Sequence, residues 1–185
     1  MNNLLPETYL LGLVALLLVI AILVGRQLLK VRKDEINLVK LEKQVDSSNK
    51  NASELYQLAS VQLRKRLYPQ AIGTLKQALK QLKEEPDEAK AIIENAMGFA
   101  LAAEDNFEAA IKHYESALKA KSNYPVALNN LGFAKQQLKL EDEAYLHYKE
   151  ALNIDPKNQT AKKQLNRIER RNGMIIASGK EKKGF

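Results

Sequence analysis

The sequence predicts an all-α fold: a solenoid of three two-helix units closed by a capping helix and preceded by one N-terminal transmembrane helix. Three observations predict it. Eighteen uncharged residues run from Thr8 to Gly25 as TYLLGLVALLLVIAILVG. Small and large residues recur at a spacing of 34, pairing Gly98 with Gly132, Ala110 with Ala144, Tyr114 with Tyr148 and Ala117 with Ala151. Between these positions the apolar residues follow a helical period, with prolines at intervals that suit helix starts.

Taken in order, residues 1–7 are a short N-terminal tail and residues 8–25 the span. At 1.5 Å per residue the span covers about 27 Å, close to the hydrocarbon thickness of a bilayer. A secretory signal would carry basic residues before the apolar run and a small-residue cleavage site after it. Only Glu7 precedes the run, and ILVGRQ offers no such site. A buried core helix would show a polar face, which this segment lacks. Arg26, Lys30, Arg32 and Lys33 crowd the C-terminal flank, so the following chain is expected on the cytoplasmic side, or the stromal side in a plastid. The chain has no cysteine, which excludes a disulfide framework and thiolate metal sites.

Residues 26–51 read as a charged helical stalk and linker. Val31, Leu38 and Val45 are spaced by sevens with Leu41 alongside, too short a run for a coiled coil. DSSNKNAS (Asp46 to Ser53) reads as a flexible joint.

Residues 52–158 hold three units, at 52–90, 91–124 and 125–158. In the first, Leu58, Ala59, Ala71, Ile72, Ala78 and Leu79 stand 39 residues before their counterparts, so about five residues are inserted around KEEPDEAK (Lys83 to Lys90). A 34-residue helical hairpin resembles the tetratricopeptide repeat. PVALNNLGFAKQQLKLEDEAYLHYKEALNIDPKN (Pro125 to Asn158) carries that resemblance almost throughout. Small residues at Ala59, Gly98 and Gly132 are expected to let a neighbouring backbone approach. Leu58, Leu75, Met97, Tyr114, Leu131 and Tyr148 are expected to fill the layer. Pro69, Pro125 and Pro86 are placed at helix starts. Residues 159–172 form the capping helix, with Ala161, Leu165 and Ile168 as its apolar stripe and Gly173 as its end. Residues 173–185 are a basic tail.

The net charge is +7, but it is not spread evenly: residues 1–50 carry +2, residues 51–156 carry −2 and residues 157–185 carry +7. No aromatic residues interleave with basic ones across the body, so nucleic acid is not an expected partner. The tail has two readings, contact with anionic lipid or a solvated end. His113 and His147, the only histidines, hold equivalent repeat positions and are expected at the surface, short of the four ligands a zinc site needs. No phosphate loop, nucleophile motif or carboxylate pair appears. Neither an enzymatic activity nor a cofactor is expected.

The resemblance to tetratricopeptide repeats implies a concave groove lined by the first helices. Carried over, the groove residues are Tyr56, Ser60 and Arg64, then Ile92, Asn95, Phe99 and Ala103, then Val126, Asn129, Phe133 and Gln137. Family members that clamp chaperone tails hold Lys, Arg and Asn where this chain has Tyr56, Ser60, Ala96, Val126 and Asn130, so that ligand is not implied. Phe99 and Phe133 read either as an apolar trough for a peptide or as packing. The whole layout, with its span ending in GRQLLKVRKDE and its basic end, also resembles the photosystem I assembly-related repeat proteins of cyanobacteria and plastids. That resemblance implies a thylakoid protein whose partners are photosystem I subunits or assembly factors. The alternative is a scaffold in a bacterial plasma membrane serving secretion, envelope or division complexes.

Overall fold

The computed structural model describes residues 4–45, 51–82 and 87–181, and their regular structure is entirely helical. The chain divides into two units, residues 1–47 and 48–185.

The first unit holds α1 (Leu4–Val45), one unbroken helix of 42 residues. Its stretch Tyr9–Lys30 is long and apolar enough to cross a membrane, and none of it is buried within the protein. From Arg26 to Val45 there is neither glycine nor proline, so nothing stops the helix and it runs on into the predicted stalk. The stalk's apolar stripe rests on side chains outside the described residues, as does the predicted joint at residues 46–50. Ala52 and Ser53, also placed in that joint, instead open the next helix, which Asn51 caps by accepting from the Glu54 amide at 2.8 Å.

The second unit contains α2 (Ala52–Arg64), α3 (Tyr68–Gln81), α4 (Asp87–Ala103), α5 (Phe107–Ala120), α6 (Pro125–Gln137), α7 (Glu141–Ile154) and α8 (Gln159–Glu181). Three hairpins form, α2 with α3, α4 with α5 and α6 with α7. They stack through α3 on α4, α5 on α6 and α7 on α8. Helix α4 begins one turn before the expected boundary at residue 91, and Pro86 lies outside the described residues.

Every hairpin turns in the same way. Arg66, Asp105 and Lys139 have φ of 60°, 57° and 62°, the left-handed conformation that ends a helix. The next amide reaches back to close each end: Leu67 to Gln62, Asn106 to Leu101 and Leu140 to Lys135, all at 2.9 Å. No glycine is used at any of the three, so each carries the strain of a side chain in that region.

Between the helices the core alternates alanine with large residues. Ala71, Ala110, Ala144 and Ala151 are fully buried, as are Leu55, Leu75, Tyr114, Leu131 and Tyr148. The expected reason for Gly98 and Gly132, close approach of a backbone, holds at Gly98, where the Ala110 carbonyl comes near, but it is not the main one. What fills the space above each glycine is chiefly a tyrosine ring from the same hairpin. A Cβ on Gly98 would stand 2.6 Å from Tyr114 and 3.0 Å from the Ala110 carbonyl, and one on Gly132 would stand 2.9 Å from Tyr148. The helix-propensity cost of about 1 kcal/mol per glycine is offset by seating a whole aromatic ring.

Helix α8 buries Ala161, Leu165 and Ile168 against the last hairpin. It does not end at Gly173 but continues to Glu181. Gly173 keeps a negative φ, no proline follows, and the flanking Met174, Ile175, Ile176 and Ala177 sustain a helix. Part of the segment assigned to a basic tail is therefore helical.

Candidate functional site

The first helices α2, α4 and α6 bury one stripe of side chains and leave another open. On α4 and α6 the open stripe carries Phe99 and Phe133, which are 45% and 42% exposed and so are not core residues. Phe107, the first residue of α5 after its Asn106 cap, meets Phe133 edge-on with centroids 6.3 Å apart and planes at 73°. These three rings, with Ala103, Asn130 and Gln137 among their neighbours, line a concavity of about 320 Å³. A second concavity of about 230 Å³ lies between α2 and α4, with Tyr56 and Ile92 among its lining residues.

Asn130 donates its side-chain amide to Asn95 at 3.0 Å, tying α6 to α4. The Tyr124 hydroxyl lies close enough to Asn95 to be influenced by it. Burial pushes that phenol's pKa up and nearby Tyr56 adds to the effect, against a smaller opposing influence from Asn95. Asn95 is thus held in a bridge that joins the walls of the open face.

Other expected groove residues line neither concavity. Asn129 donates to the Asn158 side-chain oxygen at 3.1 Å, and that oxygen also accepts from the Ala161 amide at 3.0 Å. Asn129 therefore steadies the start of α8. The Ser60 hydroxyl donates to the Tyr56 carbonyl at 2.8 Å, one turn back on its own helix. Arg64 and Val126 are exposed and line neither concavity. Phe107 was missed by the sequence reading, although an apolar residue directly after the Glu104-Asp105-Asn106 turn was an available signal. Asn130 stood at a groove place through the repeat resemblance, but its bond to Asn95, 35 positions away, had no local signal.

The histidines correct a second expectation, since neither is a bare surface position. His113 donates through Nδ1 to the buried Glu94 carboxylate at 2.6 Å, linking α5 to α4. His147 is half-buried with its Nδ1 lacking a hydrogen-bond partner. Among the described residues no three His, Asp or Glu side chains come together as metal ligands. Lys135 pairs with Glu143 at 2.6 Å and Glu115 at 3.8 Å, joining α5, α6 and α7.

Burial holds the His147 pKa below its usual 6.5, with Lys135 contributing and Glu150, Glu115 and Glu143 opposing. The unfolded chain therefore takes up a proton first as pH falls, and stability drops from about pH 6.5 downward. The lowered pKa values of Glu88, paired with Lys121, and of Glu143 act only below about 4.5. The urea midpoint of the full chain is expected to fall between pH 7.5 and 5.5, and His147→Gln to flatten that dependence. An unchanged slope in the variant would show that His147 is not the responsible group.

The tetratricopeptide repeat family matches residues 125–158. The chloroplastic tetratricopeptide repeat domain-containing protein PYG7 of Arabidopsis thaliana is 36% identical over 155 residues, which are 84% of this chain and 51% of that protein. The uncharacterized protein ycf37 of Guillardia theta is 30% identical over 166 residues, 90% of this chain and 93% of its own length. For ycf37 of Cyanophora paradoxa the figures are 30% over 171 residues, 91% and 98%. The chain thus spans about half the Arabidopsis protein and nearly all of the other two. Among solved structures, MamA superposes with a TM-score of 0.69 at 19% identity, covering 83% of this chain and 81% of its own. The Cut9–Hcn1 assembly gives 0.69 at 20% identity over 78% of this chain and 28% of its own, a likeness of fold alone. With both ycf37 proteins matched almost end to end, this chain belongs to the ycf37 family of tetratricopeptide-repeat proteins.

Proposed function

We propose that the chain is a membrane-anchored adaptor that binds protein subunits while photosystem I is assembled or stabilised. The observation that carries the binding role is the Phe99, Phe107 and Phe133 concavity, where two exposed rings and one partly buried ring meet on the open face of a repeat scaffold. Rings left in water cost free energy that a partner's apolar side chain recovers, and aromatic clusters of this kind dominate interface energetics. The anchor is α1, whose apolar stretch is unburied and flanked by cations only at its C-terminal end. By the charge rule the repeats then face cytoplasm or stroma. The photosynthetic assignment draws support from the chloroplastic Arabidopsis relative and from the likeness of the layout to photosystem I assembly-related repeat proteins.

A deletion strain complemented with variants tests both parts. Deletion is expected to lower photosystem I per chlorophyll, and the wild-type gene to restore it. The Phe99→Ala/Phe133→Ala protein should accumulate and melt near the wild-type temperature, yet leave the deficit in place and weaken client capture about 30-fold. Normal photosystem I in the deletion rejects the photosynthetic role and favours the bacterial scaffold. Full complementation by the double variant, or a large loss of its stability, rejects the aromatic site.

A further inference from the structure

Helix α8 is more than a lid on the last hairpin. Shifted by the repeat spacing of 34, Ala127, Leu131 and Ala134 of α6 map onto Ala161, Leu165 and Ile168 of α8, and all six are buried. Helix α8 therefore occupies the place of a first helix in an incomplete fourth unit. The same shift takes Phe133 of the open stripe onto Arg167, and Asn129, one turn before it, onto Lys163. Both cations are exposed, and with Asn166 and Arg170 they line a concavity of about 360 Å³. Among the described residues neither Lys163, Arg167 nor Arg170 has an acidic partner. Arg171, by contrast, is engaged with Glu141 at 2.5 Å and fastens α8 to α7.

The binding face thus changes character along the repeat axis, from aromatic on α4 and α6 to cationic on α8. We propose that Lys163, Arg167 and Arg170 form a subsite for acidic side chains of the same protein segment whose apolar residues fill the aromatic concavity. This rests on the adaptor reading and names the chemistry of its client. Helix α7 links α6 to α8 in the stack, one helix diameter is about 10–12 Å, and an extended strand advances about 3.3 Å per residue. The acidic residues therefore stand about three or four positions from the apolar anchor. A carboxylate suits the site because two arginines present forked donors that match its planar oxygens. Nucleic acid would need rings stacked beside these cations, and no aromatic residue is among those lining this concavity.

The test uses the full-length protein in phosphatidylcholine nanodiscs and short fluorescent peptides. One carries Phe and Leu followed about three positions on by paired Glu, and its analogue has Gln in place of Glu. The acidic peptide should bind about tenfold more tightly, and added salt should erase the difference. Lys163→Glu/Arg167→Glu should abolish the preference, while Arg167→Lys keeps part of it. Equal binding of the two peptides, binding of neither, or an unaltered preference in the charge-reversal variant overturns the proposal. So does protection of Lys163 from acetylation by phosphatidylglycerol but not by the acidic peptide, which would assign the face to lipid. Phe99→Ala/Phe133→Ala separates the two readings. Loss of both peptides there, with the charge-reversal variant unaffected, removes the cationic subsite alone. A surviving acid preference with no effect of the aromatic change removes the aromatic site alone.

Discussion

Gly98→Val is expected to lower the thermal midpoint of the repeat unit by about 10 °C, a loss of about 3 kcal/mol. A Cβ alone would stand 2.6 Å from the Tyr114 ring and 3.0 Å from the Ala110 carbonyl. Neither neighbour moves without disturbing its own packing. Tyr114 is 1% exposed and packs with Ala110, Leu131 and Ala134, while the carbonyl belongs to the backbone of α5. Gly98→Ala is the graded control, where about 1 kcal/mol of helix propensity is regained against the smaller clash. Thermal unfolding followed by circular dichroism measures both. A Gly98→Val protein that melts within two or three degrees of wild type would mean the ring has another place to go, and the packing account of these glycines would fail.

Tyr148→Ala is expected to cost about 4 kcal/mol, the range for truncating a buried aromatic ring. Tyr148 is fully enclosed, lies against Gly132 and sits in the cluster that joins α6 and α7 to α8 through Leu128, Leu165 and Ile168. Its hydroxyl donates to the Gln136 side-chain oxygen at 2.7 Å, and burial raises the phenol pKa beyond its ordinary value. Tyr148→Phe removes only that bond and should cost about 1 kcal/mol, since half-buried Gln136 retains access to water. The ring and the glycine form one device, so their substitutions should not add. In urea unfolding, Gly132→Leu/Tyr148→Ala is expected to be more stable than the sum of its parts by about 1–2 kcal/mol, the leucine occupying space the ring vacates. Strict additivity would show that the two positions are not coupled.

The repeat was legible because its signal is written in residue size. Gly98 and Gly132, Tyr114 and Tyr148, and Ala110 and Ala144 could not keep a spacing of 34 unless each pair met the same neighbours. The apolar N-terminal helix was legible too, because eighteen successive uncharged residues with no polar face are a property of composition alone. The site was less so. Phe99 and Phe133 were found by their place in the repeat, but their exposure was left open, since a ring on a helix surface is covered or bare according to what packs beside it. Asn129 and Asn130 are adjacent and alike, yet one props α8 and the other bridges to Asn95. One step along a helix turns a side chain by about 100°, and only the positions of the neighbouring helices say which bond that makes.

By itself, then, the sequence determined the helical class, the pairing of helices into hairpins, the apolar N-terminal segment and the concentration of positive charge at the C-terminal end, because periodicity, composition and charge are properties of the chain alone. The tertiary structure decided that tyrosine rings occupy the space above the glycines, that α8 runs past Gly173 and stands in the register of a fourth unit, and that three phenylalanines from different helices share one concavity. Those outcomes depend on distances between residues far apart in the chain, which burial and packing set and no local pattern records.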